Sequence, residues 1–305
     1  MAAATTTVGV IGLGSMGLGV AKTLCRAGFE TWGFDVRDAA VLELEEAGGH
    51  AASSPAALGQ KADVVIVLVA TADQVRTVLF GEAGAVGGMH QGSVVVASAT
   101  VPASFAVETA FHLSEHGIHM IDAPVSGGVV GAETGKLSIM ASGPDEAFLL
   151  AQDVLDAIAA KVYRLGPKHG TGSTVKTINQ LLAGVHIAAS AEAMALGIRA
   201  GVDPTTLFEV ISNSAGASWM FNNRVPHILD GDYAPKSAVD IFVKDLGIVL
   251  ETGRGHTFPL PLTATAHQQF LAASAAGLGR EDDSAVIKVF QKLTGIELPP
   301  EKDGQ

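Results

Sequence analysis

Short apolar runs separated by stretches of helical periodicity fill the first half of the chain, and the pattern changes after residue 166. The runs predict strands at Thr7–Ile11, Glu30–Phe34, 63–69, 93–98, 118–122, Leu137–Ala141 and 161–165. Between them, apolar positions spaced by three and four predict helices up to residue 27 after the first strand, and over 73–80, 102–116 and 145–159. Strand and helix in such alternation build a doubly wound α/β sheet. Val64-Val65-Ile66-Val67-Leu68-Val69 is apolar at every position, the mark of a central strand covered on both faces.

From 173 to 200 the chain runs without proline until Gly201 stops it, which predicts one helix roughly 40 Å long. Leu181, Leu182, Val185, Ile187, Met194, Leu196 and Ile198 cover nearly every face, so the helix is expected to be buried on most sides. Lys176, His186 and Glu192 interrupt it, which argues against a membrane span. Beyond it no strand pattern returns. Asp203 and Pro204 make a cap and first turn for a helix over 205–212, and further helices are expected at 218–230, 238–253, 261–276 and 284–293. The polar end, 299–305, is expected to fray. The organisation expected is a doubly wound α/β domain over 1–166 and an all-α domain over 167–305 that contains the long helix.

Composition narrows the function classes. At 48% apolar and 16% charged residues over 305, the chain is built to bury a core. A net charge of -12 speaks against a nucleic-acid partner, whose phosphates need a basic surface. The single cysteine, Cys25, forms no intrachain disulfide and lies in an apolar helix pattern, where it fills core. The N-terminus lacks a basic leader, so a cytoplasmic protein is expected. No G-x-S-x-G elbow or cysteine-nucleophile pattern occurs, which weakens a hydrolase reading. His112, Glu115, His116 and His119 lack the H-E-x-x-H spacing and read as a solvated helix end, so no metal is expected.

The chemistry begins at Gly12-Leu13-Gly14-Ser15-Met16-Gly17, which follows a strand and opens a helix. In that context Gly12 permits the tight turn, Gly14 lets backbone approach a pyrophosphate, and Gly17 lets helix and strand pack closely. Asp35 ends the second strand 18 residues past Gly17, where a carboxylate accepts from ribose hydroxyls and repels a 2′-phosphate; NAD is therefore expected. Arg37 would favour NADP if it paired with that phosphate. Ligands in such sheets lie beyond the carboxyl ends of strands, so Val69, Ala70, Thr100 and Asp122 onward are placed to line the cofactor site.

Two further stretches carry candidate chemistry. Asp122-Ala123-Pro124-Val125-Ser126-Gly127-Gly128 reads as a loop in which the Ser126 hydroxyl and the amides of Gly127 and Gly128 would cradle a small carboxylate. In the first turns of the long helix, Lys176, Asn179 and Gln180 share a face. A cation near a helix N-terminus opposes the macrodipole, which suggests that Lys176 is kept for a use. Lys244, inside the apolar stretch Phe242-Val243-Lys244-Asp245-Leu246, reads either as a surface lysine or as part of a roof over the cleft.

These motifs together resemble the β-hydroxyacid dehydrogenases, the family of the 3-hydroxyisobutyrate and tartronate semialdehyde enzymes. The likeness covers nearly the whole chain: the glycine motif, the Asp122–Gly128 block, Gly170-Thr171-Gly172 followed by Lys176 and Asn179, and Lys244-Asp245-Leu246. Within the family, Ser218-Trp219-Met220 and the stretch 237–245 are most similar to the L-threonate dehydrogenase branch. The resemblance implies a Rossmann-type NAD-binding domain over 1–166, an all-α substrate and dimerisation domain over 167–305, a catalytic lysine at Lys176, substrate-binding positions at Ser126, Gly127, Gly128 and Asn179, and positions lining cofactor and cleft at Thr100 and Lys244. The chain departs from the family pattern at Ala97-Ser98-Ala99-Thr100, at Ala70 where proline is common, and at Gln180 where asparagine is common.

The expected reaction follows from these roles. A small hydroxy acid, held by its carboxylate at Ser126, Gly127 and Gly128, gives hydride to the nicotinamide while Lys176 takes the hydroxyl proton and Asn179 orients that hydroxyl. Desolvation must lower the lysine's proton affinity for this to work at neutral pH. The polar set Ser126, Asn179, Gln180, Asn222 and Asn223 suits a polyhydroxylated acid better than an apolar one. Alternatives of the same class are NAD(P)H-dependent tartronate-semialdehyde, succinic-semialdehyde or 3-hydroxyisobutyrate-type enzymes; of another class, a non-catalytic nucleotide-binding regulator. A homodimer or homotetramer is expected from the apolar second domain.

Overall fold

The computed structural model describes residues 6–301, so the expectations for the extreme N-terminus and for 302–305 lie outside it. The chain forms two compact units, one ending at Lys176 and the other starting at Thr177. The division falls inside the long helix, ten residues beyond the 166/167 boundary expected from sequence.

The first unit runs β1 (Thr7–Ile11), α1 (Ser15–Arg26), β2 (Glu30–Phe34), α2 (Asp38–Glu46), β3 (His50–Ala51), α3 (Pro55–Gly59), β4 (Val64–Val67), α4 (Ala72–Phe80), β5 (Val94–Ala97), α5 (Ala103–Glu115) and β6 (His119–Asp122). These strands form one six-stranded parallel sheet in the order β3-β2-β1-β4-β5-β6, the doubly wound arrangement with its crossover beside β1. Successive side chains of the central strands feed two different cores: Val64, Ile66, Val94 and Val96 enter one, and Val65, Val67, Val95 and Ala97 the other. That two-sided burial is why these strands are apolar throughout.

The edge segment α2-β3-α3 carries little sequence signal. Both residues of β3 are exposed, so no alternation marks it, and α3 is short, started by the Ser54 hydroxyl accepting from the Ala57 amide with Pro55 behind it.

The last strands depart from the single sheet expected. β7 (Val125–Ser126), α6 (Gly128–Glu133), β8 (Leu137–Ala141), α7 (Asp145–Ile158) and β9 (Ala159–Arg164) follow, and β7-β8-β9 make a separate three-stranded sheet, antiparallel between β7 and β8. The glycine-rich block read as a loop is thus a short strand and a helix. Val125 pairs with Ile139, and Gly127 and Gly128 turn the chain at φ values of +131° and +64°.

The second unit is all-α, as expected: the greater part of α8 (Thr171–Arg199), then α9 (Pro204–Ser212), α10 (Trp219–Asp230), α11 (Val239–Gly255), α12 (Pro261–Ala273) and α13 (Ile287–Thr294). Asp203 and Ser218 cap α9 and α10 through their side chains, and Gly231 ends α10 in the left-handed conformation. Phe242 and Phe270 stack at the core with ring centroids 5.2 Å apart. A buried polar group sits beside this core. Arg224 donates in two places to Asp283, at 2.5 and 3.1 Å, and burial pushes the Asp283 carboxyl up to about 6 despite that guanidinium. Burial likewise holds the His227 imidazole below its ordinary pKa.

Two expectations fail here. The long helix is not buried on most sides: Ile178, Leu182 and Leu196 are 57%, 51% and 69% exposed. Apolarity on every face records what each face touches only when all of them are covered, and on this chain one stripe of α8 is not. The start of the tail is not frayed: Glu301 pairs with Lys288 at 2.6 Å, and the Pro300 carbonyl packs on Gly231 so closely that a Cβ there would collide with it.

Candidate active site

Gly12 and Gly17 do what their spacing predicts. Gly12 has φ +91°, and a Cβ on it would lie 2.6 Å from the Leu68 carbonyl oxygen. A Cβ on Gly17 would collide with the Gly12 carbonyl, so strand and helix can approach only as glycines. Gly14 is different: a Cβ there meets nothing within 4 Å. Gly14 is also the N-cap of α1, and no side chain caps the helix start there. A helix start with no side-chain cap, and with no protein atom within 4 Å of a Cβ at Gly14, fits a dinucleotide pyrophosphate. Leu13, between these glycines, is buried in the core below the loop.

Asp35 closes the same loop. Its Oδ2 accepts from the Leu13 amide at 2.7 Å and its Oδ1 from the Arg37 amide at 2.9 Å and Nε at 3.1 Å. A carboxylate has about four acceptor positions, so capacity is left for a ribose hydroxyl. Arg37 Nη2 donates to the Leu13 carbonyl at 2.9 Å, which ties the guanidinium to the loop. Beyond the strand ends lie Val69 and Thr100, half-buried, and Ala70, exposed, whose amide donates to Gln74 at 2.9 Å. β4 itself stops at Val67, two residues short of the expected end, because the chain turns there into the capping box of Thr71 and Gln74.

Asp122 is the correction. Its place at a strand end predicts the first of the residues lining the cofactor site, but it is 1% exposed and its carboxylate faces the start of α8. Oδ2 accepts from the Gly170 amide at 3.0 Å, the Ser173 amide at 2.9 Å and Ser142 Oγ at 3.2 Å, while Oδ1 accepts from Ser173 Oγ at 2.6 Å. A carboxylate from the end of β6 therefore satisfies amides that a helix N-terminus leaves unpaired and offsets its partial positive charge. Gly172 makes this approach possible, since a Cβ there would strike the carbonyl oxygens of Met140 and Asp122. The helix so anchored carries Lys176, which is buried at 7% exposure. In the same unit, Ser126 is half-buried and Gly127 and Gly128 are exposed; a Cβ on Gly128 meets nothing within 4 Å.

In the second unit, Asn179 is half-buried and Gln180 buried. Asn179 Nδ2 donates to Gln180 Oε1 at 3.0 Å, Gln180 Nε2 donates to Asp245 Oδ2 at 2.6 Å, and Lys244 Nζ stands 2.7 Å from Asp245 Oδ1. Asp245, 2% exposed, is the functional candidate that the sequence pattern missed. Its partner lies 65 residues away, so the acid inside an apolar helix and the Lys244-Asp245-Leu246 block pointed to the place without showing the contact.

The comparisons agree with this architecture. Residues 7–166 match the NAD binding domain of 6-phosphogluconate dehydrogenase, and residues 170–290 match the NAD-binding domain of NADP-dependent 3-hydroxyisobutyrate dehydrogenase. An L-threonate dehydrogenase of Cupriavidus necator is 61% identical over 96% of this chain and 97% of its own. The crystal structure of a 3-hydroxyisobutyrate dehydrogenase from Salmonella typhimurium superposes with a TM-score of 0.89 at 50% identity, covering 93% of this chain and 99% of the other. Psf3, solved in complex with NADP+, superposes with a TM-score of 0.86 at 25% identity, covering 93% and 99%. The chain belongs to the family of the 3-hydroxyisobutyrate and L-threonate dehydrogenases, hydroxyacid oxidoreductases that act on a CH–OH donor with a nicotinamide cofactor.

Proposed function

We propose that the chain oxidises the C2 hydroxyl of L-threonate to 2-oxo-tetronate with NAD, and that Lys176 is the general acid/base. The observation that carries the reading is Lys176 itself, a lysine buried at 7% exposure one turn past the Asp122 anchor of α8. Lysines are seldom buried unless they are paired or put to chemical use. Its amine takes the hydroxyl proton as the carbinol is oxidised and returns it in the reverse direction. Ser126 with the amides of Gly127 and Gly128 holds the carboxylate; the consecutive positive φ values and the open space over Gly128 suit a small anion. Asn179 orients the hydroxyl, with Gln180 beside it. The nicotinamide supplies the hydride acceptor, and Gly12, Leu13, Gly14, Ser15, Met16, Gly17, Asp35, Val69, Ala70, Thr100 and Lys244 are the positions that would hold it.

NAD is favoured over NADP because Asp35 is a carboxylate beside the loop and Arg37 is already engaged by Asp35 and the Leu13 carbonyl. The L-threonate dehydrogenase at 61% identity supports the substrate. A second reading, an NADPH-dependent semialdehyde reductase, draws on Arg37 and on the likeness to a protein solved with NADP+. A spectrophotometric screen of threonate, erythronate, glycerate and hydroxyisobutyrate with both cofactors decides between them. Highest kcat/KM for threonate with NAD is expected; a preference for NADP would overturn the cofactor assignment. A cytoplasmic homodimer or homotetramer completes the proposal, supported by the exposed apolar positions Ile178, Leu182 and Leu196 on α8 and testable by light scattering of the purified protein.

A further inference from the structure

The start of α8 is tied to the ends of β6 and β8 residue by residue. His169 Nε2 lies 2.9 Å from the Met120 carbonyl oxygen, and the Gly170 amide and the Ser173 amide and hydroxyl all donate to the Asp122 carboxylate. Between them the Gly172 amide donates to Ser142 Oγ at 3.0 Å, and that hydroxyl donates in turn to Asp122 Oδ2. Asp122, Ser142 and Ser173 are all buried to 1% exposure or less, so no solvent competes for these bonds. Lys176 follows Ser173 by three residues, less than one helical turn, so the grip on Ser173 also places the lysine backbone. The main chain of Asp122 faces the other way. Its amide and carbonyl exchange two bonds of 2.9 Å with Ser142, and four residues on, Ser126 pairs with Ser138 of β8. One residue thus joins the strand that leads into the Ser126–Gly128 cradle to the helix turn that leads into Lys176.

We propose that Asp122 is a positioning residue that fixes Lys176 relative to the carboxylate cradle at Ser126, Gly127 and Gly128, so that proton transfer depends on it beyond its contribution to stability. The inference rests on the reading of Lys176 as the general acid/base. A substrate held by its carboxylate presents its carbinol at a set distance from the cradle, and the amine must be held to match. Loosening the anchor therefore slows turnover while leaving the cradle, whose backbone pairing does not involve the Asp122 side chain, able to bind.

The test is a double-mutant cycle on turnover of L-threonate with NAD, with NADH affinity measured for each protein. Asp122→Ala should lower kcat by about 10- to 100-fold, the effect of a reacting group held about 1 Å out of place, with KM for threonate and NADH affinity little changed. Asp122→Asn keeps an oxygen for the three bonds to Oδ2 and offers an NH2 from which Ser173 Oγ can accept, so its kcat should stay within about threefold of wild type. In a Lys176→Ala background no amine is left to misplace, and Asp122→Ala should lower kcat no further. Loss, rescue by asparagine and non-additivity together support the proposal. Wild-type kcat in Asp122→Ala, a loss in Asp122→Asn as large as in Asp122→Ala, or the full loss repeated in the Lys176→Ala background overturns it. If Asp122→Ala does not fold, Ser173→Ala, which removes one of the four bonds, carries the same reading with a loss of about three- to tenfold, and wild-type kcat there overturns the proposal. If Lys176→Ala itself keeps wild-type kcat, the acid/base reading falls and the positioning with it. If Lys176→Ala loses turnover while Asp122→Ala does not, only the positioning falls.

Discussion

Asp122 and Ser173 are joined twice, the carboxylate accepting from the Ser173 amide at 2.9 Å and from its hydroxyl at 2.6 Å. The pairing ties the end of β6, the last strand of the six-stranded sheet, to the first turns of the helix that bears Lys176. Asp122→Ala should leave the amides of Gly170 and Ser173 buried and unpaired, at a cost of about 2–4 kcal/mol. Urea denaturation gives the stability directly. Wild-type stability in that variant would show that the anchor contributes nothing.

The glycines of the dinucleotide motif should separate by experiment. Gly17→Ala forces a Cβ onto the Gly12 carbonyl and should lower the melting temperature. Gly14→Ala meets no protein atom within 4 Å, so its melting temperature should stay near wild type while NADH binding, followed by fluorescence titration, weakens. Equal effects of the two on stability would contradict the open cradle over Gly14.

Asp35 should set cofactor choice. Asp35→Ala removes a charged acceptor and is expected to lower kcat/KM for NAD by about 10- to 100-fold, with a smaller effect for NADP. Steady-state kinetics with both cofactors check this.

How far the sequence shows this molecule depends on the range of each interaction. β1 and β2 end where their apolar runs end, because neighbouring residues fix both boundaries. The tight turn at Gly12 and the close packing of Gly17 on it are legible for the same reason. β7 is not, since two residues of strand carry no period and depend on pairing with Ile139 and Ser138. Asp122 and Asp245 are visible as acids in odd places, but their roles are set by partners about 50 and 65 residues further along or back in the chain. Nor can apolarity alone show that Ile178, Leu182 and Leu196 stay uncovered in the single chain.

Stability should carry the mark of Asp283. Burial raises its carboxyl to about 6 from an ordinary 3.8, so between those values the folded protein holds a proton that the unfolded chain releases. Its contribution is therefore full below about pH 4, declines as pH rises to about 6, and is constant above. His227, with its pKa lowered by burial, acts in the opposite sense: its contribution is present above pH 6.5 and is lost as pH falls below that value. Asp283→Asn abolishes the first effect alone, so its melting temperature should rise more steeply, or fall less, between pH 4 and 6 than that of wild type. Parallel curves for the two proteins would contradict the assignment.

The most direct measurement is the turnover of Lys176→Ala with NAD and L-threonate beside its affinity for NADH. A general acid/base at Lys176 predicts a kcat lower by about two to four decades with NADH binding retained. Near-wild-type turnover would contradict it, and the catalytic role of the buried lysine would have to be abandoned.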